Sequence, residues 1–317
     1  MAQAVVPAAV CLAAIGKQQE DLVCAFTQLI GSTKGDHMNP IVSFIKRHPL
    51  FSFFAIAYVF TWLGWTMPDI IYTGTPLSTV FTLLFIAMVP GPLYAAIIVT
   101  AVTGGKAGVI ALLRKFTIWR VGWRWWAVAL LVGPAVGLTA AYLNVWFGAP
   151  NPTALLISGW SGTLLLFATR LVNPVDGPMQ EELGWRGFAV PRFQARYSPL
   201  VANLLLGVIV AGWHLPWVLK GQLPLFALLG TVAFTIVFAW IYNNTGGSVL
   251  LVLVAHAADG LIKVGFTGAD LTRFFIFYVA AWWVVVLIAL FLHGPSLVRK
   301  TAEPAQVAPL EESLAAR

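Results

Sequence analysis

The chain has 317 residues, of which 59% are hydrophobic and only 10% are charged, and its mean hydropathy is +0.84. Since an ordinary soluble domain carries roughly 25% charged residues, this composition excludes soluble, disordered and fibrous proteins. The apolar stretches are long and continuous, whereas the strands of a membrane barrel alternate apolar and polar residues. The sequence therefore predicts an all-α protein whose helices cross a lipid bilayer several times.

Uncharged runs of sequence predict about eight transmembrane helices, with a bilayer core needing about 20 residues for each. The second span is predicted to be one long or broken helix, with a kink at Pro-Gly-Pro 90–92. Turn-forming residues at 148–152 separate the third span from the fourth, and those at 243–247 separate the sixth from the seventh. The predicted spans are 50–68, 77–103, 125–147, 154–173, 199–219, 224–242, 248–265 and 274–292.

In a membrane protein, a net charge of +7 is explained by basic residues that set the orientation of the spans across the bilayer. Since the charge has this explanation, we expect no nucleic-acid partner. All but three of the 19 Lys and Arg residues fall in the segments that eight spans place on the same side as the termini. The exceptions are Lys220, Lys263 and Arg273. Because basic residues stay inside, both termini are predicted to be cytoplasmic.

The domain organisation follows from the spans. Residues 1–49 are predicted to be a cytoplasmic extension, 50–293 the membrane domain and 294–317 a cytoplasmic tail. Met38 is followed by Lys46, Arg47 and the first span, an order typical of the amino terminus of a membrane protein. We therefore expect translation to start at Met38. The intact mass of the mature protein tests this expectation.

The first polar cluster contains Glu181, Glu182 and Arg186. Adjacent residues on a helix point about 100° apart, so the two carboxylates cannot share one role. Glu182 and Arg186 have the i,i+4 spacing of an ion pair, which leaves Glu181 free to face another direction. The alternative interpretation is an ordinary amphipathic cytoplasmic helix with one salt bridge.

Two further clusters lie within predicted spans. His214 is surrounded by apolar residues, and its alternative interpretation is a hydrogen-bonded structural histidine. His256 and Asp259 have i,i+3 spacing and so share a helix face. Ionisable groups at membrane depth are costly and are usually retained for function, which marks these residues as candidates for a site.

Two chemistries fit this set of side chains. A Glu and a His can activate water as a general base while other donors stabilise an oxyanion. Alternatively, Glu181, His214 and His256 can bind a catalytic zinc, although the spacing of two His four residues apart around a Glu is absent from the sequence.

The three clusters together resemble the CPBP intramembrane endopeptidases, which include the CAAX-processing and bacteriocin-processing proteases. The resemblance lies in Glu-Glu-Leu-Gly-Trp-Arg-Gly-Phe at 181–188, Trp-His-Leu-Pro at 213–216, and the stretch from Tyr242 to His256. It covers about residues 76–265 and implies a bacterial-type protease in an inner membrane. It also implies a peptide or protein substrate at the membrane and the absence of a cofactor. It does not identify the peptide or the oligomeric state.

The resemblance implies a role for each candidate residue. Glu181 would activate the water, His214 would hold and polarise it, and Glu182 with Arg186 would orient the first motif. His256, with a polar residue one turn later, would stabilise the oxyanion. The peptide bond would be hydrolysed without a covalent enzyme intermediate.

The sequence departs from the family pattern at two positions. Val210 stands where the family often has Phe, and Gly260 stands where it usually has Asn, with Asp259 one residue earlier. An ionised Asp cannot donate a hydrogen bond to an oxyanion, so Asp259 would have to be protonated or to orient His256 instead.

The positions of the motifs along the chain place His214 and Glu181 at different depths in the membrane. His214 lies about 22 Å along its span at 1.5 Å per residue, whereas Glu181 follows a basic segment near the cytoplasmic face. We expect the first-motif helix to enter the membrane and to line a cavity open to the cytoplasm. The rival class is a transporter or a non-catalytic immunity protein that uses the same residues to bind an ion or a partner.

Overall fold

The computed structural model describes residues 39–151, 159–262 and 265–298. Met38, the start of the fourth predicted span, and the tail beyond residue 298 lie outside these residues. The regular elements of the described chain are all helical, which confirms the predicted fold class at this level. Helix α1 (Pro40–Arg47) belongs to a compact unit that ends at Arg47, and the chain from His48 onward forms a second unit.

The second unit contains twelve α-helices within the described residues. They are α2 (Pro49–Ile71), α3 (Pro76–Ile86), α4 (Gly91–Leu113), α5 (Trp123–Trp146), α6 (Gly159–Val172), α7 (Gly177–Glu182), α8 (Val190–Gln194), α9 (Pro199–Trp213), α10 (Leu215–Leu219), α11 (Leu228–Asn244), α12 (Val249–Asp259) and α13 (Gly268–His293). A π-helical turn, Leu183–Ala189, joins α7 to α8.

Five helical stretches of the described chain are long and apolar enough to cross a membrane. They are Pro49–Ile71, Gly91–Thr117, Trp123–Trp146, Leu225–Asn244 and Gly268–Ser296. Helices α3, α9 and α12 are apolar but shorter. The chain is therefore an integral membrane protein, while the number of eight spans and the cytoplasmic termini stay predictions.

The second predicted span is broken next to the Pro-Gly-Pro sequence at 90–92, which is one of the two forms that the sequence predicts. It consists of two helices, α3 and α4, because the chain leaves the helical path before Pro90, and Pro92 lies in the first turn of α4. Proline suits this position since it lacks the amide hydrogen that a helix start leaves unpaired. Helix α4 then continues beyond residue 103, with an interruption at Gly105, where φ is 60°.

Two other predicted spans end earlier than expected. Helix α9 ends at Trp213 rather than at residue 219, because Pro216 cannot donate an intrahelical hydrogen bond, and His214 lies at the break. Helix α12 ends at Asp259 rather than at residue 265. Both breaks place polar candidate residues at helix ends, where side chains can leave the helix surface.

The first motif is buried inside the bundle. Helix α7 packs against α4, α6 and α12, and the π-helical turn packs against α4. All residues from 180 to 190 are buried, and the Trp185 ring makes edge-to-face contacts with Phe53 and Trp213 at centroid distances of 5.4 and 5.6 Å. This burial rules out the interpretation as an exposed amphipathic helix.

Candidate active site

Glu182 is the most enclosed of the ionisable residues in the first motif, with no exposed surface. Its Oε1 accepts a hydrogen bond from Nη1 of Arg186 at 3.1 Å, so the ion pair that the spacing allows is present. The same oxygen lies 2.7 Å from Nδ1 of His256. Glu182 therefore connects the first motif to the last turn of α12 and holds the orientation of the His256 ring.

Glu181 points to a different partner, as expected for an adjacent residue on a helix. Its Oε2 accepts a hydrogen bond from the indole nitrogen of Trp185 at 3.2 Å, and its side chain is only 6% exposed. Among the residues that the structure describes, Trp185 is the single hydrogen-bond donor to this carboxylate. The other oxygen, Oε1, stays available to accept a proton.

Glycine at position 177 lets Glu181 and His256 approach each other. A Cβ atom there would lie 3.1 Å from Oε1 of Glu181 and 3.2 Å from Nε2 of His256. These two atoms thus converge on the first turn of α7, although 75 positions separate the residues in sequence. The nitrogen that Glu182 does not bind is the one that faces this region.

The tautomer of His214 follows from its hydrogen bond. Its Nδ1 lies 2.9 Å from the carbonyl oxygen of Val210, which can only accept, so Nδ1 carries the proton. In the neutral ring Nε2 is then an acceptor. His214 contacts the backbone carbonyl of Val210, so this hydrogen bond forms whether the side chain at position 210 is Val or Phe.

Asp259 is held by an aromatic residue from another helix. The hydroxyl of Tyr278 in α13 lies 2.7 Å from both carboxylate oxygens of Asp259. The Nδ1 atom of His256, in contrast, is bonded to Glu182. The structure thus assigns the orientation of the His256 ring to Glu182.

A cavity of about 200 Å³ connects these residues. Its polar lining includes Glu181, Arg186, His214, His256 and Asp259, and Glu182 lies directly behind His256. Its other lining residues are Val210, Leu223, Ala227, Gly230, Thr231, Phe234, Phe275, Tyr278 and Trp282. The fold therefore brings the six sequence-predicted residues to one partly apolar site, as binding pockets for peptides and small molecules require.

Residues 159–262, which contain all six, match the family model described as type II CAAX prenyl endopeptidase Rce1-like. The resemblance to CAAX-type intramembrane proteases is confirmed. The chain is also similar to CAAX prenyl protease 2 of Methanococcus maripaludis, with 26% identity over 236 residues. This similarity covers 68% of the chain and 84% of the relative. Most of the residues that line the cavity lie in the region that matches this family model.

Two residues that contact the candidate site were missed by sequence reasoning. Trp185 follows Glu181 by one helical turn, so its spacing could have indicated the contact. Tyr278 is a polar residue in an otherwise apolar span, but only the packing of α13 against the site reveals its partner. Both residues restrain carboxylates of the candidate site.

The π-helical turn is anchored by Lys115, which follows α4 in the chain. Its Nζ donates to the carbonyl oxygen of Gly187 at 2.6 Å and to the hydroxyl of Tyr242 at 2.9 Å. Such turns are uncommon and are often found near functional sites. Lys115 stabilises this one by pairing a carbonyl near its end with a cation.

The zinc alternative requires three ligands around one point. Among the described residues, no group of three His, Cys, Asp or Glu side chains is placed to hold a metal ion, and this includes Glu181, His214 and His256. Nδ1 of each histidine is engaged, with a backbone carbonyl for His214 and a carboxylate for His256. Nε2 is therefore the nitrogen of each ring that remains for a ligand in the cavity.

Proposed function

We propose that the chain is an intramembrane endopeptidase in which Glu181 and His214 activate a water molecule for attack on a peptide bond. The observation that carries the proposal is that the Glu181 carboxylate and the His214 ring line one cavity, each fixed by a hydrogen bond on its other side. A water molecule between the Glu181 carboxylate and Nε2 of His214 points one hydrogen atom at each of these acceptors. Its lone pair is then free to attack a carbonyl carbon.

The proposed reaction proceeds without a covalent enzyme intermediate. As the water oxygen bonds to the carbonyl carbon, its proton passes to Glu181, and the carbonyl oxygen becomes an oxyanion. The tetrahedral intermediate then breaks its carbon–nitrogen bond, and Glu181 gives the proton to the leaving amine. A buried carboxylate with a single hydrogen-bond donor suits this exchange, since the proton must be both accepted and released.

Two cationic or potentially cationic side chains in the cavity are candidates to stabilise the oxyanion. His256 can donate from Nε2 when that nitrogen carries a proton, and the contact of its Nδ1 with Glu182 fixes the direction in which Nε2 points. Arg186 also lines the cavity, and its Nη2 has no hydrogen-bond partner among the described residues. Buried donors aimed at developing charge lower the barrier, because they need no reorganisation during the reaction.

The proposed substrate is a peptide or protein segment at the membrane. A second depression of about 370 Å³ shares Leu223 and Phe275 with the cavity and continues along residues between α10 and α11 and the start of α13. The proposal is that an extended chain reaches Glu181 along this path. The relative from Methanococcus maripaludis is named CAAX prenyl protease 2. The substrate class proposed for this chain is the broader one of membrane-associated peptides.

The finer localisation belongs to the same proposal. Eight spans with both termini in the cytoplasm would place the basic segments inside, and a bacterial inner membrane is the proposed location. Helices α3, α9 and α12 are then the shorter members of the bundle. Attaching a reporter to each terminus tests this orientation.

The test of the mechanism is proteolysis by the purified protein in proteoliposomes. We expect Glu181→Gln and His214→Ala each to lower kcat by about 10²-fold or more, the scale of general acid–base catalysis. Unchanged thermal unfolding of Glu181→Gln shows that the loss is chemical. Full activity in both variants ends the proposal.

A chelator separates this mechanism from the zinc-dependent alternative. Activity that survives 1,10-phenanthroline, in protein without stoichiometric metal, supports a water activated by Glu181. Activity that disappears with the metal and returns with added zinc supports the alternative. Substrate flux that survives Glu181→Gln would instead indicate a transporter.

A further inference from the structure

The guanidinium group of Arg170 occupies the space beside Gly260. A Cβ atom at position 260 would lie 2.5 Å from Cζ of Arg170 and 2.7 and 2.8 Å from its two terminal nitrogens. No real Cβ could be accommodated at these distances without movement of the arginine. Gly260, the position where the sequence departs from the family pattern, therefore makes room for a side chain from α6.

Arg170 bridges two helices that carry candidate catalytic residues. Its Nη1 lies 3.3 Å from Oδ1 of Asp176, and its Nη2 lies 3.4 Å from the carbonyl oxygen of His256. The arginine side chain is 13% exposed, so water screens these contacts only in part. Arg170 thus contacts the residue before α7 and the last turn of α12 at the same time.

Both contacts are with groups that define helix ends. The Asp176 side chain caps α7 by accepting a hydrogen bond from the amide of Gly177 at 2.8 Å. The last four carbonyls of a helix have no intrahelical partner, and the His256 carbonyl is one of them. A cation is favoured there, because it meets the negative end of the helix dipole.

The position of these helix ends determines the geometry of the site. Gly177 directly follows the capping residue, and Oε1 of Glu181 and Nε2 of His256 both lie within 3.2 Å of the point where its Cβ would be. A shift of the start of α7 relative to the end of α12 therefore changes the separation of these two atoms. Reactions that depend on such geometry lose up to about 10²-fold for a displacement near 1 Å.

We propose that Arg170 is a positioning residue for Glu181 and His256, and that Gly260 is the small residue that admits it to this place. This inference rests on the proposed function, since it assumes that both side chains act on the substrate. Arg170 acts through Asp176 and the α12 carbonyl, and does not itself line the cavity.

The experiment is a double-mutant cycle between Arg170 and Gly260, with kcat and KM measured on a membrane peptide in proteoliposomes. We expect Gly260→Ala to lower kcat at least tenfold while KM changes less than threefold. In the Arg170→Ala background, where the space is open, the same change at position 260 should alter kcat less than twofold. Such non-additivity is the signature of two groups in contact.

Conservative and control variants complete the cycle. Arg170→Lys keeps a cation near Asp176 and should retain more activity than Arg170→Met. A loss of packing alone would not produce this difference between the two variants. Arg196→Met, which removes an exposed arginine, should match the parent. If Arg170→Met folds poorly, Gly260→Ala still tests the inference, because it leaves the arginine in the chain.

The outcomes separate this inference from the proposed function. Equal effects of Gly260→Ala in both backgrounds, or an unchanged kcat in Arg170→Met, overturn the role of Arg170. Glu181→Gln measured in the same assay tests the mechanism itself. If Glu181→Gln abolishes cleavage while Arg170→Met does not, only the positioning role fails.

Discussion

The carboxylate of Glu182 lies 2.7 Å from Nδ1 of His256 and joins two motifs that are 74 residues apart in the sequence. The same oxygen accepts a hydrogen bond from Arg186, and neither Glu182 nor Arg186 is more than 1% exposed. A single buried carboxylate thus contacts a cation in the π-helical turn that follows it and an imidazole on α12. Its role differs from that of its neighbour Glu181, and variants of the two residues should behave differently.

We expect Glu182→Gln to lower both stability and activity. Removing one partner of a buried ion pair costs about 3–5 kcal/mol, because the remaining charge is left uncompensated. Thermal unfolding in detergent, together with kcat, measures the two effects. Glu181→Gln is the matched control: it should lose activity and keep the melting temperature of the parent. Equal melting temperatures for all three proteins contradict the prediction.

We expect Gly177→Ala to lower kcat by about 10- to 100-fold through displacement of Glu181 or His256. The new methyl group would lie 3.1 Å from Oε1 of Glu181 and 3.2 Å from Nε2 of His256, closer than carbon normally approaches such atoms. Alanine favours helix formation over glycine, so the backbone should not be weakened. The measurement is kcat with the unfolding temperature. A parent-like kcat shows that the two atoms do not converge as described.

We expect Trp185→Phe to lower kcat by about tenfold, since it removes a hydrogen bond to a charged group worth about 1.5–3 kcal/mol. The indole of Trp185 donates to Oε2 of Glu181 and fixes the carboxylate. Trp213→Phe is the control, because Trp213 is equally buried and its indole nitrogen has no hydrogen-bond partner among the described residues. Both variants should lose some stability. A similar fall in kcat for both would show that packing, not the hydrogen bond, matters.

We expect Lys115→Met to lower the unfolding free energy by about 1–3 kcal/mol, the cost of leaving a buried polar group unpaired. The variant leaves the Gly187 carbonyl and the Tyr242 hydroxyl without the ammonium that they share. Denaturant or thermal unfolding measures the change. Lys106→Met, at an exposed position of α4, should unfold like the parent. Indistinguishable stabilities of the two variants would refute the anchoring role.

The helical fold and the candidate residues could be predicted from the sequence, but helix ends could not be placed reliably. Uncharged runs located α2, α5 and α13 because a stretch that meets lipid must stay apolar throughout. The same signal could not show where α9 and α12 stop, since Trp213 and Asp259 are followed by residues that are also largely apolar. Those ends depend on Pro216 and on contacts with other helices.

The sequence by itself determined that the protein is a helical membrane protein and which ionisable residues are scarce enough to suggest a site. Both conclusions follow from composition and spacing, because lipid excludes most charges and so makes the remaining ones conspicuous. The tertiary structure alone decided that Glu182 orients His256, that Tyr278 holds Asp259 and that Arg170 lies against Gly260. These contacts join residues far apart in the chain, and the distances between such residues depend on how the helices pack.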